Sequence, residues 1–124
     1  MNKKATVFIL DDDDINLMLL EEALQDDYLV ITEKQKLPAL MKIKSYNHDI
    51  ILLDVMMPQM DGMEMCAELR KLDSFQDTLV VFLSARAEDF SQLAGYDAGA
   101  NDYILKPIKS FFIYFVSFCC YFLG

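Results

Sequence analysis

The sequence has no tryptophan, one histidine, four glycines and three prolines among its 124 residues. Its three cysteines, Cys66, Cys119 and Cys120, show no metal-ligand spacing and indicate no disulfide framework. No secretory signal is found at Met1–Lys4, and we therefore expect a reducing, cytoplasmic location. No linker or internal repeat divides the chain.

Positive charge is also scarce: the chain has 11 basic and 20 acidic residues, and its formal net charge is −9. Nucleic-acid phosphates would repel such a surface, which argues against direct binding of nucleic acid. A basic partner surface or bound cations fit this balance better. The length, with 54% apolar and 25% charged residues, predicts one globular domain with a hydrophobic core.

Strand-like and helix-like segments alternate along the chain. The predicted strands are Ala5–Leu10, Tyr28–Ile31, Asp49–Asp54, Leu79–Leu83 and Tyr103–Leu105. The predicted helices are Ile15–Leu24, a segment around Pro38–Ile43, Met63–Leu72 and a segment from about Glu88 to Ala98 that Gly99 ends. This alternation predicts an α/β fold whose parallel sheet is covered by helices on both faces.

Polar side chains follow the predicted strands at the point where each strand ends. Asp11 and Asp12 follow the first strand, Asp54 ends the third, Ser84 follows the fourth and Lys106 follows the fifth. Because the carboxyl ends of parallel strands meet at one edge, these groups should converge. Three carboxylates favour a hard cation such as Mg²⁺, and a carboxylate can accept a phosphoryl group that a hydroxyl and an ammonium stabilise.

Four segments carry a specific pattern at these strand ends. They are Phe8–Asp13, Leu53–Gly62, Phe82–Ala85 and Ala98–Pro107. Together they resemble the receiver domains of two-component response regulators, and the resemblance covers about Lys4 to Ile108. It implies a flavodoxin-like, doubly wound sheet of five parallel strands in the order 2-1-3-4-5, and it predicts a receiver domain over residues 1–108.

The resemblance also implies a phosphoacceptor and a metal site. Asp54 would accept a phosphoryl group from the phosphohistidine of a sensor histidine kinase or of a histidine phosphotransfer protein. Asp11, Asp12 and Asp54 would hold Mg²⁺ together with the main-chain carbonyl of Met56. The domain would then catalyse its own phosphorylation and dephosphorylation, and would not be a conventional turnover enzyme.

Further residues would sense the phosphoryl group. By the same resemblance, Lys106 would pair with the phosphoryl oxygens, Ser84 would hydrogen-bond them, and Tyr103 would repack when Ser84 moves. Arg86 lies near the expected path of the hydrolytic water and could affect the lifetime of the aspartyl phosphate. The change would switch protein–protein contacts.

Simpler structural roles exist for several of these residues. One or two of the acids in the run 11–14 could cap the following helix, which leaves the ligand assignment open by one position, with Asp13 as the alternative. Ser84 could cap a turn, Tyr103 could be ordinary core, and Lys106 could be surface charge. A surface role is expected for His48.

Two other function classes use similar residues. Haloacid-dehalogenase-like phosphatases also place acids after the first strand, and Asp11 would then be the nucleophile, with Ser84 and Lys106 in supporting positions. That interpretation lacks the acidic pair expected after the lysine and leaves Asp54 unexplained. A non-phosphorylated interaction module of the same fold would be expected to lack an active-site residue, and none is missing.

The C-terminal segment departs from the family pattern. Receiver domains normally end in an amphipathic fifth helix, but residues 110–124 carry no charge and hold seven aromatic side chains. We treat residues 109–124 as an atypical apolar segment and favour an altered or truncated end that lowers solubility. A homodimer interface on the strand-five side is an alternative, and so is membrane contact, although the run is shorter than the roughly 20 residues of a transmembrane helix.

Overall fold

The structure is a computed structural model that describes residues 4–45, 48–55, 57, 62–84 and 99–105. Five parallel strands form one sheet in the order 2-1-3-4-5. The strands are β1 (Ala5–Leu10), β2 (Tyr28–Glu33), β3 (Ile50–Asp54), β4 (Leu79–Ser84) and β5 (Asp102–Leu105). The described helices are α1 (Asp14–Leu24), α2 (Lys36–Ser45) and α3 (Gly62–Arg70), and a 3-10 turn follows at Asp73–Phe75.

The central strands are apolar on both faces because helices cover the sheet on both sides. Successive side chains of a strand point to opposite faces, so β1 and β3 each supply two hydrophobic layers. One layer packs with α2 and α3, and its strand residues include Phe8, Leu10, Ile51 and Leu53. The other packs with α1, and its strand residues include Val7, Ile9, Ile50 and Leu52. This arrangement explains why these strands read as continuous apolar runs.

The predicted α/β fold and strand order are confirmed. The predicted strands differ from the observed ones only at their ends, and α2 is longer than the segment Pro38–Ile43 that its pattern indicates. The predicted helix from about Glu88 to Ala98 lies outside the described residues, as does the segment 109–124. Gly99 has a φ of 99°, the left-handed conformation that glycine adopts readily.

Within the described ranges, no helix has the length and apolar character that crossing a membrane requires.

Candidate functional site

Three carboxylates meet at the carboxyl edge of the sheet. Asp11 follows β1 directly, Asp12 comes next, and Asp54 is the last residue of β3. Each offers one oxygen, and these oxygens all lie within 4.8 Å of one another. Asp11 and Asp54 are buried, at 0% and 3% exposure, whereas Asp12 is exposed. The cluster therefore reaches solvent through Asp12.

This set of donors suits a hard divalent cation. Like charges at such distances repel one another, and burial removes the water that would otherwise solvate them. A cation offsets both costs, and carboxylate oxygens are the ligands that Mg²⁺ takes from proteins. The three residues form an acidic triad that is suitable for a metal ion.

Local hydrogen bonds fix the buried Asp11 carboxylate. The backbone N–H of Asp13 donates to its Oδ1 at 2.9 Å, and the side-chain amide of Asn16 donates to its Oδ2 at 3.4 Å. The backbone N–H of Asp11 donates to the carbonyl oxygen of Glu33 at 3.2 Å, so pairing between β1 and β2 continues one residue beyond β1. Asp11 is thus restrained through both its backbone and its side chain.

The four acids after β1 divide into two pairs with different roles. Asp11 and Asp12 belong to the acidic triad. Asp13 is the N-cap of α1, because its Oδ1 accepts the backbone N–H of Ile15 at 2.9 Å. Asp14 lies in the first helical turn and forms an ion pair with Lys34 at 2.7 Å. The interpretation that one or two of these acids cap the helix is therefore confirmed.

Asp54 is held by the middle of the sheet and by the start of α3. Every residue of β3 is buried, and the backbone N–H of Val55 donates to the carbonyl oxygen of Leu83 at 3.1 Å. A Cβ atom on Gly62 would lie 3.1 Å from the carbonyl oxygen of Asp54 and 3.1 Å from Cα of Val55. A larger side chain would push these atoms apart, so glycine lets α3 begin directly against the backbone of Asp54.

The β4 and β5 strands bring further candidates to this edge. Ser84 ends β4 fully buried, and its register partner is Leu105. Asp54 pairs with Leu83, so Ser84 lies one residue farther along the neighbouring strand. Tyr103 pairs with Phe82 on β5 and is 40% exposed. The structure therefore groups Ser84 with the strand end of Asp54, whereas Tyr103 lies farther back along β5.

Other predicted site residues lie outside the described residues. These are Lys106, the main-chain carbonyl of Met56, and Arg86. Their roles stay predictions.

The expectation of a surface role for His48 is wrong. The side chain is 4% exposed, and its ring meets Phe8 edge-on with centroids 5.1 Å apart. Its Nε2 lies 3.5 Å from the carbonyl oxygen of Lys42, and Thr78 Oγ1 donates to its backbone carbonyl at 3.2 Å. Burial lowers the pKa of the imidazole. A histidine before a strand gives no local signal of burial, which here depends on packing against β1.

Arg70 is a second residue that the sequence does not single out. It ends α3, and its guanidinium donates hydrogen bonds to backbone carbonyls of residues that precede β4 and β5. The carbonyl of Gly99 and the side chain of Asn101 are among the acceptors, at sequence separations of 29 and 31 residues. Periodicity cannot reveal contacts over such separations.

Comparison with known families and proteins agrees with this geometry. The family model described as "Response regulator receiver domain" matches residues 7–112. The alkaline phosphatase synthesis transcriptional regulatory protein PhoP of Bacillus subtilis (strain 168) is 38% identical over 110 residues, which are 88% of this chain and 44% of PhoP. The chain spans less than half the length of the curated relatives it matches, which include the response regulator ArlR of Staphylococcus aureus at 45%.

Solved structures share the fold over nearly the whole chain. A putative response regulator from Chloroflexus aurantiacus J-10-fl gives a TM-score of 0.85 at 31% identity, with 94% of this chain and 98% of that chain covered. The BeF3-activated receiver domain of DrrB, a Thermotoga maritima protein, gives a TM-score of 0.82 at 27% identity, with 96% and 99% covered.

Proposed function

The chain belongs to the response regulator receiver domain family, and on that premise we propose that Asp54 is the residue that accepts the phosphoryl group. The chain is a phosphoacceptor domain of two-component signalling with an acidic triad of Asp11, Asp12 and Asp54, and a cognate histidine kinase is implied as its partner. The observation that carries the assignment is the position of Asp54 at the end of a fully buried central strand, inside that triad.

The division of roles within the triad follows from hydrogen bonding. Both carboxylate oxygens of Asp11 accept local hydrogen bonds, which suits a fixed ligand. Asp12 is exposed and can take part in an ion's coordination beside water. We assign Mg²⁺ to the three carboxylates and the main-chain carbonyl of Met56. Bound there, the ion supplies positive charge that offsets the charge on the carboxylates and on phosphoryl oxygens.

The transfer step exchanges one bond to phosphorus for another. A carboxylate oxygen of Asp54 attacks the phosphorus of a phosphohistidine on the kinase or on a phosphotransfer protein. The new P–O bond forms as the P–N bond breaks, and the electron pair of that bond returns to the imidazole nitrogen. The product is an aspartyl phosphate. Attack of water on the phosphorus then releases inorganic phosphate and restores the Asp54 carboxylate.

Residues on the β4 and β5 side respond to the phosphoryl group. Ser84 donates its hydroxyl to a phosphoryl oxygen, and Lys106 pairs with the same group. Tyr103, half-exposed on β5, changes its packing when Ser84 moves. A dianion at Asp54 thus favours one of two arrangements of the loops after β4 and β5.

The partners and surroundings follow from charge and exposure. We propose that any homodimer forms through the β5 side, where Tyr103 and Leu105 are 40% and 43% exposed. The net charge of −9 argues against direct contact of this chain with nucleic acid. The buried free thiol of Cys66 fits the reducing cytoplasm in which we expect the receiver domain, residues 1–108, to act.

The test is chemical phosphorylation without a kinase. The chain is incubated with Mg²⁺ and acetyl phosphate, and intact mass is measured for the wild type, Asp54→Asn, Asp11→Asn and the exposed control Asp77→Asn. We expect one phosphoryl group on the wild type and on Asp77→Asn, and none on Asp54→Asn. Labelling that survives Asp54→Asn but is lost in Asp11→Asn would assign Asp11 as the nucleophile, as in a phosphatase of the haloacid dehalogenase type.

A further inference from the structure

The guanidinium of Arg70 ties the end of α3 to the segments that precede β4 and β5. Its Nη1 donates to the carbonyl oxygens of Phe75 and Thr78, each at 2.6 Å, and its Nε donates to that of Gly99 at 2.9 Å. Its Nη2 donates to Oδ1 of Asn101 at 2.7 Å. We call these five residues the arginine latch. It lies at the amino edge of the sheet, opposite the acidic triad.

Asn101 extends the latch into the sheet itself. Its Oδ1 also accepts the backbone N–H of Val80 at 2.8 Å, and its own backbone N–H donates to the carbonyl oxygen of Val80 at 2.8 Å. Gly99 completes the fit, because a Cβ atom there would lie 2.7 Å from Cγ of Arg70. One side chain therefore fixes the starts of two adjacent strands.

The register of those strands determines what they deliver to the opposite edge. β5 has four residues, and in the described part of the chain it pairs with β4 alone. The latch precedes it by one residue, at Asn101, so the latch sets the pairing of Tyr103 with Phe82 and of Leu105 with Ser84. A shift at the latch would move the β5 end relative to Ser84.

The acidic triad is restrained mainly by contacts outside this latch. Asp11 and Asp12 follow β1, and Asp54 ends β3, which pairs along its length with β1 and β4. Their restraints are the local hydrogen bonds of Asp11 and the packing of Gly62 against Asp54. Loss of the latch should therefore affect the phosphoryl-binding side of the edge and spare the metal-binding side.

We propose that Arg70 is a positioning residue, which through the arginine latch places β4 and β5 so that Ser84 can engage a phosphoryl group on Asp54. This inference rests on the proposed function of Asp54. Arginine is required because its planar fork donates in several directions at once, whereas the ammonium of lysine is a compact point charge on a flexible stem.

The experiment separates positioning from general stability. Arg70→Gln, Arg70→Lys and Asn101→Ala are compared with Lys71→Gln, which removes a neighbouring exposed charge outside the latch. For each variant, Mg²⁺ affinity is measured by calorimetry, the labelling rate with acetyl phosphate is measured at saturating Mg²⁺, and amide hydrogen exchange is followed at residues 102–105.

We expect Arg70→Gln to slow labelling by roughly 10- to 100-fold, the loss that a misplacement of about 1 Å can cause. Its Mg²⁺ affinity should stay within about twofold of the wild type, and exchange in β5 should accelerate. Arg70→Lys and Asn101→Ala should show the same pattern more weakly, and Lys71→Gln should match the wild type.

Two patterns of labelling and Mg²⁺ affinity would overturn the proposal. One is an unchanged labelling rate in Arg70→Gln, and the other is a parallel loss of Mg²⁺ affinity and labelling in all three latch variants, which would make the latch a purely structural feature. If Arg70→Gln fails to fold, the two milder variants decide by the same criteria. If the wild type is not labelled, the proposed function fails, whereas unchanged exchange in β5 would reject the latch separately.

Discussion

The two halves of the carboxyl edge differ in how firmly the sheet holds them. The rigid half carries Asp11, Asp12 and Asp54. Its strand β3 is buried at all five positions and has a strand on each side. The switch half carries Ser84 at the end of β4 and Tyr103 on β5. Here β5 alternates between partly buried and exposed residues, and in the described part of the chain it pairs only with β4. The residues to which we assign Mg²⁺ thus lie on the rigid half, and those that we propose respond to the phosphoryl group lie on the half that can shift at lower cost.

The largest effect should come from removing core packing on the rigid half. Leu53→Ala empties a fully buried site next to Asp54 and should lower the free energy of unfolding by about 2–5 kcal/mol. Leu105→Ala removes a side chain that is 43% exposed and should cost less than about 1.5 kcal/mol. Urea unfolding followed by circular dichroism measures both, and equal losses would remove the distinction between the halves.

Removing one ligand should weaken metal binding without a comparable loss of fold. Asp11→Asn takes one negative charge from the triad, and its Mg²⁺ affinity should fall by more than about tenfold, or about 1.4 kcal/mol. The matched control is Asp14→Asn, which removes an acid from the same run that pairs with Lys34. Calorimetric titration that gives the same affinity for both variants would contradict the assignment of the triad.

The four acids at positions 11–14 allow a sharper test of which residues bind the metal ion. Asp13→Ala removes the N-cap of α1 and should cost about 0.5–2 kcal/mol of stability, with Mg²⁺ affinity near that of the wild type. Asp12→Ala should do the opposite, because Asp12 belongs to the triad and makes no cap. Thermal unfolding and calorimetry on the same samples give both quantities, and a large loss of Mg²⁺ affinity in Asp13→Ala would reassign the ligand.

The smallest effect is a pH dependence at the amino edge. Burial holds the pKa of His48 below its ordinary value of about 6.5, so the unfolded chain binds the proton more readily than the folded one. The stability due to neutral His48 is therefore complete above about pH 6.5 and is lost as the pH falls below that value.

The measurement is the free energy of unfolding between about pH 7.5 and pH 5, because histidine titrates in roughly this range. His48→Gln removes the titrating group and should show a flatter profile than the wild type, whereas carboxylate titration is common to both. Profiles of equal slope would show that His48 does not carry this dependence.

The sequence predicts the features that depend on neighbouring residues. Apolar runs that end in acids place Asp11 and Asp54 at one edge of the sheet, because the carboxyl ends of parallel strands lie at the same edge. It cannot separate Asp12 from Asp13, because both are acids beside a strand and a helix start, and only the backbone geometry decides which one caps the helix.

The sequence pattern does not predict contacts between residues that are far apart in the sequence. The burial of His48 depends on packing against Phe8, 40 positions earlier in the sequence, and the latch joins Arg70 to residues about 30 positions away. Neither residue type is unusual at its position in a strand-and-helix pattern. These contacts follow from the strand order, so they become visible once the sheet is assembled.

The role of Asp54 as the phosphoacceptor is tested most directly by locating the modified residue chemically. After labelling with acetyl phosphate and Mg²⁺, borohydride reduces an aspartyl phosphate to homoserine, which peptide mass spectrometry identifies by position. We expect homoserine at position 54 and unmodified aspartate at positions 11 and 12. Homoserine at position 11, or a labelled chain with no homoserine in it, would contradict the role of Asp54.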